Sequence, residues 1–237
     1  MQISKVLSFL IAMSLSLSLV AQKSIDQGYL KLEITDIKVE KPELEQMVGM
    51  MQGSTQEIFF NQQKQKVVIG MMSGMMQMRV YQDFDSQSNE TYVDLMGNKI
   101  KSVMGPAEMA EQKRNAEEML ANAKIVYDKD DRKDIIGYSC YKGTVTIGGE
   151  NPTSLTFYLT DEVNVPQAYI QTLSQISIEG TPMEMQIKVA GMMDLTYTAV
   201  EVKEDLDPNF FAKPEGTYKE LTMDELKQMG LGGTMGF

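Results

Sequence analysis

VVIGMMSGMMQMRV, residues 67–80, is the stretch from which the fold is read. Five of its fourteen residues are methionine, and Arg79 is its only charge. Ser73-Gly74 in the middle has the composition of a tight turn, so the stretch is expected to fold back as a β-hairpin. Counted by position, Val68, Met72, Met76, Met78 and Val80 lie on one parity, and Val67, Ile69, Met71 and Met75 on the other. Both faces then read as apolar, which calls for cover on both sides. Either other segments bury this hairpin, or it lines a space that holds an apolar ligand.

Short strands flank it. Upstream, Tyr29–Val39 alternates, with Leu30, Leu32 and Ile34 opposed to Lys31, Glu33 and Thr35, the pattern of a half-buried strand. Lys41-Pro42 breaks it. Leu44, Met47, Val48 and Met51 then fall on one face of a short helix over 43–52, which Gly53 is placed to end. Thr55–Phe60 is a further strand, and Asn61-Gln62-Gln63 a turn. Downstream, Asp85–Asn89 is a polar turn, followed by strands over 90–96 and 99–104 with a turn signal at Gly97-Asn98. Strands this short, joined by turns this tight, describe an antiparallel meander.

Gly105-Pro106 ends the meander and opens a helix over 107–123, since proline suits the first helical position. The charges Glu111–Glu118 read as its solvated face. A strand is expected over 124–129. Tyr141, Val145 and Ile147 then share a face opposite Cys140, Lys142, Thr144 and Thr146. Gly148–Pro152 turns, and Leu155, Phe157 and Leu159 alternate with Ser154, Thr156, Tyr158 and Thr160, a hairpin with one apolar face. A short helix is expected over 168–176, and strands over 183–189 and 194–203. The second of these strands switches phase near Ala199, which signals a bulge. Thr222-Met223-Asp224-Glu225 fits a capping box that opens a last helix. Residues 230–237 read as a flexible tail.

Met1–Ala21 reads as a secretory signal peptide: Lys5, an apolar run from Val6 to Val20, then a small residue before polar Gln22-Lys23-Ser24. The run is short of the roughly 20 residues that cross a bilayer. The expected division is therefore a signal peptide over 1–21, one β-rich domain over 22–229 and a tail over 230–237. The product is expected in the periplasm or outside the cell, with no membrane span after cleavage.

Composition narrows the chemistry. The 43% of hydrophobic residues supply a core. The formal charge of −11 argues against nucleic-acid partners, because like charges repel the phosphate backbone. The chain has no histidine, so the usual general base and the commonest transition-metal ligand are missing. The single cysteine, Cys140, rules out an internal disulfide and a Cys-rich zinc site. It is read as a half-buried strand residue on the polar side. Gly230–Gly233 follows a helix instead of opening one, so it is no phosphate loop. A non-enzymatic protein without a cofactor is expected.

Two binding chemistries remain, both centred on Met71, Met72, Met75, Met76 and Met78. Thioethers are flexible and polarizable and suit a lipid or other apolar ligand of irregular shape. They also select Cu(I), and a hairpin can bring three to one side. With 21 methionines along the chain, an ordinary filled core, in a module that acts by interaction, accounts for the cluster as well.

Three further stretches carry a family resemblance: DIIGYSCY at 134–141, LTFYLTD at 155–161 and LDPNFFAKPEGTYK at 206–219. They resemble the envelope proteins grouped as domain of unknown function 4412, found in Gram-negative bacteria and especially in Bacteroidota. Ile135/Ile136, Gly137, Tyr138 and Cys140 match that family's first motif. Phe211, Pro214, Gly216 and Tyr218 match its last, with Thr217 inserted, and Phe157-Tyr158 stand where the family often has tryptophan. The resemblance implies a LolA-like architecture, a curved antiparallel sheet or incomplete β-barrel with a few helices across its open side. By analogy of fold it implies a carrier of lipids or lipoproteins. It transfers no functional residue.

Overall fold

The computed structural model describes residues 24–120, 123, 125–147, 153–166 and 178–228. The expected signal peptide, the helix over 168–176, the turn at 148–152 and the tail over 230–237 lie outside them. Among the described residues twelve strands form one sheet: β1 (Gly28–Val39), β2 (Thr55–Phe60), β3 (Lys64–Met71), β4 (Met76–Asp83), β5 (Ser88–Leu95), β6 (Asn98–Met104), β7 (Val126–Ile135), β8 (Tyr138–Ile147), β9 (Thr153–Thr160), β10 (Thr181–Val189), β11 (Met193–Lys203) and β12 (Lys219–Glu220). Their order is β12-β6-β5-β4-β3-β2-β1-β11-β10-β9-β8-β7. Only the short β12 runs parallel to its neighbour, β6. The sheet is single, curved and open, with β7 and β12 at its edges, and the fold is mostly β as the alternation implied. The described helices are α1 (Glu45–Met51), α2 (Pro106–Leu120) and α3 (Met223–Gln228).

Register decides which residues face inward. Leu30 pairs with Ile58, Ile58 with Val67 and Val67 with Val80. Side chains paired across a sheet project to the same side. Followed in both directions, that side carries Val93 and Ile100 toward one edge, and Ala199, Met185, Phe157 and Tyr141 toward the other. These residues are buried and belong to one cluster. The opposite side carries the charges, among them Lys31, Glu57, Lys66, Arg79, Glu90 and Lys101.

The hairpin at 67–80 is present, but its faces differ from the positional count. Met71 pairs with Met76, so the loop is the four residues Met72–Met75, and parity inverts across it. Val67, Ile69 and Met71 therefore share the inner face with Met76, Met78 and Val80. Val68 points outward with Arg79 and Tyr81. Met72 and Ser73 carry the loop through positive φ, at 53° and 54°. The next turn is Met96-Gly97, one residue earlier than the sequence signal, with both residues at positive φ as a two-residue turn requires.

Other expectations hold at residue level. Pro106 opens α2, and Gly53 sits at positive φ after α1. Thr222 caps α3: its hydroxyl accepts from the Glu225 N–H at 3.2 Å, and its own N–H donates to the Glu225 carboxylate at 2.8 Å. The phase switch in β11 is a bulge at Val200, between the pairs Lys31–Glu201 and Leu32–Ala199. The strand expected over 124–129 is instead β7, which continues to Ile135 past an irregularity between Asp128 and Arg132.

Candidate functional site

The inner face is graded along the strands. At the end where β1 begins, it is closed: Leu30, Phe60, Leu159 and Tyr141 are fully buried there. Ile25, Val163, Val165 and Ile178 add to this end, and a bridge between Ile25 and Val163 ties the segment before β1 to the loop after β9. At the other end the same face opens. Ile34, Ile37, Val39, Ile69, Met71, Leu95, Ile147 and Val189 point inward there and are only partly buried.

That open end carries the methionine rim. The tip of the β3–β4 hairpin and the Met96-Gly97 turn lie side by side, since the Met96 N–H donates to the Met75 carbonyl at 3.0 Å. Met75 is 51% exposed and Met96 72%. α1 contacts β1 and the Met72–Gly74 turn, sends Met51 into the core and leaves Met50 exposed. An open pocket of about 310 Å³ between the tips is lined by Gly74, Met75, Gln77, Asp94, Met96 and Gly97. Gln77 and Asp94 place it on the outer side of the sheet, so it is not the interior.

The five expected site residues thus divide. Met71, Met76 and Met78 face the interior, with Met71 directly opposite Met76. Met72 sits in the turn against the core, and Met75 stands out in solvent. The rim residues Met50, Met96, Ile37 and Val39 were not singled out from the sequence, because nothing local shows that helix α1, the Met96-Gly97 turn and the end of β1 reach the same place.

The outer face of the hairpin strands has its own cover. The chain after β11 crosses β1 to β6 as a strap. Phe210 stacks on Phe59 at 4.7 Å between ring centroids, and Tyr218 meets Tyr92 edge-on at 5.0 Å. Lys66 Nζ donates to the Phe210 carbonyl at 2.8 Å, and the Tyr81 hydroxyl to the Ala212 carbonyl at 2.9 Å. The strap ends by pairing β12 with β6, after which Leu226 of α3 enters the core. Two charges beneath it shift. Burial lowers the Lys66 ammonium and Arg79 lowers it further, against a smaller pull from Glu57. Burial works to raise the Glu90 carboxyl, but hydrogen bonds from Lys213 and Tyr92, with Lys101 beyond, outweigh it and hold it below the usual range. The Phe211–Tyr218 motif is therefore part of a clasp on the outer surface.

Cys140 departs from its expectation. It lies on the outward parity of β8, yet it is fully buried, with Lys133 of β7 as its register partner. Burial pushes its thiol up to about 12, with the carboxylates of Asp134, Glu162 and Glu184 adding to the shift. Because the thiolate is the nucleophile, the native thiol is expected to stay silent toward Ellman's reagent at pH 8 and to react at once in denaturant. Rapid native reaction would contradict its burial. Glu184 on the same side is buried and held by Lys133 at 2.6 Å, a structural ion pair. Among the described residues no three His, Cys, Asp or Glu side chains come together to hold a metal, and no helix is long and apolar enough to cross a membrane.

Fold and site together define a class: a mostly β chain whose one open, curved sheet wraps an apolar interior that is rimmed by methionine at one end. No family model matches the chain, and no curated protein does. Solved structures do match at low identity. PNGF-II is similar at a TM-score of 0.47 and 13% identity, over 86% of this chain and 33% of its own, so the chain spans about a third of that protein. The Mycobacterium tuberculosis lipoprotein LppX is similar at a TM-score of 0.38 and 15% identity, over 80% of this chain and 93% of its own.

Proposed function

We propose that this chain is an exported, non-enzymatic protein of the cell envelope, of the 4412 type. In this reading it binds a lipid or another long apolar molecule in the interior of its sheet. The observation that carries the proposal is the one-ended opening of the inner face. A filled core would bury that face evenly. Here Leu30, Phe60 and Leu159 are fully buried at one end, whereas at the other Ile34, Ile37, Val39, Ile69, Met71, Leu95 and Val189 are only partly buried around the buried Met76 and Met193. Methionines at the mouth suit chains of varied shape, because the thioether adapts at little cost in packing. Export rests on the pattern of Met1–Ala21.

A second reading has one observation in its favour. Met71, Met76 and Met78 share one side of a single hairpin, a geometry that offers thioethers to Cu(I).

One experiment addresses all of this: native mass spectrometry of the protein expressed with residues 1–21 and purified from the envelope without detergent. The expected result is a chain beginning at or near Gln22 that carries a mass excess lost on organic extraction. A bare chain that also fails to bind the fluorescent probe N-phenyl-1-naphthylamine would overturn the lipid reading. A copper adduct lost in Met71→Leu/Met76→Leu would put the second reading in its place. A chain still beginning at Met1 would overturn export.

A further inference from the structure

At the closed end the inner face carries a transverse row of uncharged polar side chains. Gln65 on β3 pairs with Gln82 on β4, and Gln82 pairs with Asn89 on β5. Two residues along, Thr91 on β5 pairs with Ser102 on β6. Gln65 and Ser102 are each 2% exposed. The Thr91 hydroxyl donates to Asn89 Oδ1 at 3.4 Å. Gln65 Nε2, Gln65 Oε1 and Ser102 Oγ have no hydrogen-bond partner among the described residues.

Buried polar groups are ordinarily paired, and a buried amide with both ends unpaired weakens a fold that leucine would strengthen. Gln65 is flanked on its own face by Phe60, Val67 and Gln82, so the row interrupts an apolar surface. Every inward residue of β3 to β6 is uncharged: Gln65, Val67, Ile69 and Met71; Met76, Met78, Val80 and Gln82; Asn89, Thr91, Val93 and Leu95; Asn98, Ile100, Ser102 and Met104. Lys64, Lys66, Arg79, Lys99 and Lys101 all point the other way. An anionic headgroup would find no counter-charge on these strands.

We infer that the interior is built for a ligand with one long apolar chain and an uncharged, oxygen-rich headgroup of the acylglycerol kind, and that Gln65 and Ser102 receive that headgroup. The inference rests on the proposal that the interior binds an apolar molecule. Gln65 and Met71 are six residues apart on one strand, about 20 Å, which suits a long acyl chain running from the row to the methionine mouth. From Gln65 to Ser102 are three strand spacings, about 14 Å, a width that suits several ester and hydroxyl oxygens better than a single hydroxyl.

The test is displacement of N-phenyl-1-naphthylamine from the full purified chain by 1-monoolein, oleate and 1-octadecene. Monoolein is expected to compete about tenfold more tightly than either of the others. Gln65→Leu and, separately, Ser102→Ala should each remove most of that advantage and leave octadecene unchanged. Gln65→Leu matches the volume of the side chain it replaces, and Ser102→Ala deletes one oxygen, so a folding defect in the first leaves the second to decide. Equal competition by all three, or a preference that survives both substitutions, would overturn the headgroup assignment while the apolar-ligand reading stands. Failure of the probe and of every competitor to bind would overturn that reading and this inference with it.

Discussion

Truncation of Phe157 to alanine is expected to destabilise the fold by about 3–5 kcal/mol, the range for deleting a fully buried phenyl ring. Phe157 is completely buried on the inner face of β9. It lies opposite Gly143 on β8 and Met185 on β10, with Leu155 and Leu159 two residues to either side. The space over Gly143 is already taken: a Cβ built there would meet Leu159 Cδ1 at 3.0 Å and the Tyr127 ring at 3.3 Å. The surrounding β-ladder fixes the backbone, so a cavity left by Phe157 has little means to collapse. Its neighbour Tyr158 is the control. It points outward, half-buried, with Lys133 Nζ 5.2 Å from its ring centroid. Tyr158→Ala should destabilise by about 1 kcal/mol, the scale of an exposed cation–π contact with modest burial. Urea denaturation of both variants measures the difference. Equal losses would overturn the assignment of inner and outer faces.

That assignment was only partly legible in the sequence. Strands with alternating residues declared themselves. In Tyr29–Ile34 and Leu155–Leu159 the period of two comes from the pleat itself and needs no partner to be visible, whereas the irregularity between Ile34 and Asp36 that turns Ile37 and Val39 inward appears only in the pairing with β11. The Val200 bulge was legible for the same reason, as a break in that period. The hairpin at 67–80 was not, because which side each arm shows depends on how many residues the turn takes. A two-residue and a four-residue loop move different residues into register. The four-residue loop Met72–Met75 depends on positive φ at Met72 and Ser73, which composition does not announce. Cys140 was misjudged for a related reason: outward parity means exposure only where nothing packs on the outer face.

The mouth and the polar row were still harder to see. Ile37, Met71, Leu95 and Val189 belong to four strands up to 152 residues apart, and they meet only because the strand order places their ends together. Gln65 lies next to Lys64 and Lys66 and reads as part of a polar stretch. Its burial follows from pairing with Phe60, a contact that single-sequence patterning does not encode. Candidate residues in the hairpin were found because methionine density is local, and the rest of the site was missed because its assembly is not.

The largest effect on the outer face should come from the strap. The double substitution Phe210→Ala/Tyr218→Ala is expected to destabilise the chain by about 2–3 kcal/mol, from two aromatic pairs and the area they cover. Phe59, Tyr81 and Tyr92 are buried although they point away from the interior. The rings at Phe210 and Tyr218 are what lies against two of them, and Tyr81 in turn packs edge-on against Tyr92 at 5.5 Å. Their removal should also loosen Lys213 from Glu90 and let the Glu90 carboxyl rise toward its ordinary range, since a hydrogen bond from Lys213 helps to lower it. Probe binding should persist in the folded variant, because the strap and the interior lie on opposite sides of the sheet. Thermal denaturation and N-phenyl-1-naphthylamine fluorescence measure the two halves of this expectation. A loss below about 0.5 kcal/mol, the range of an ordinary surface substitution, would mean that the strap rests on the sheet without holding it. Loss of probe binding without loss of stability would mean that the ligand sits on the outer face, and the second face of the hairpin would then be the functional one.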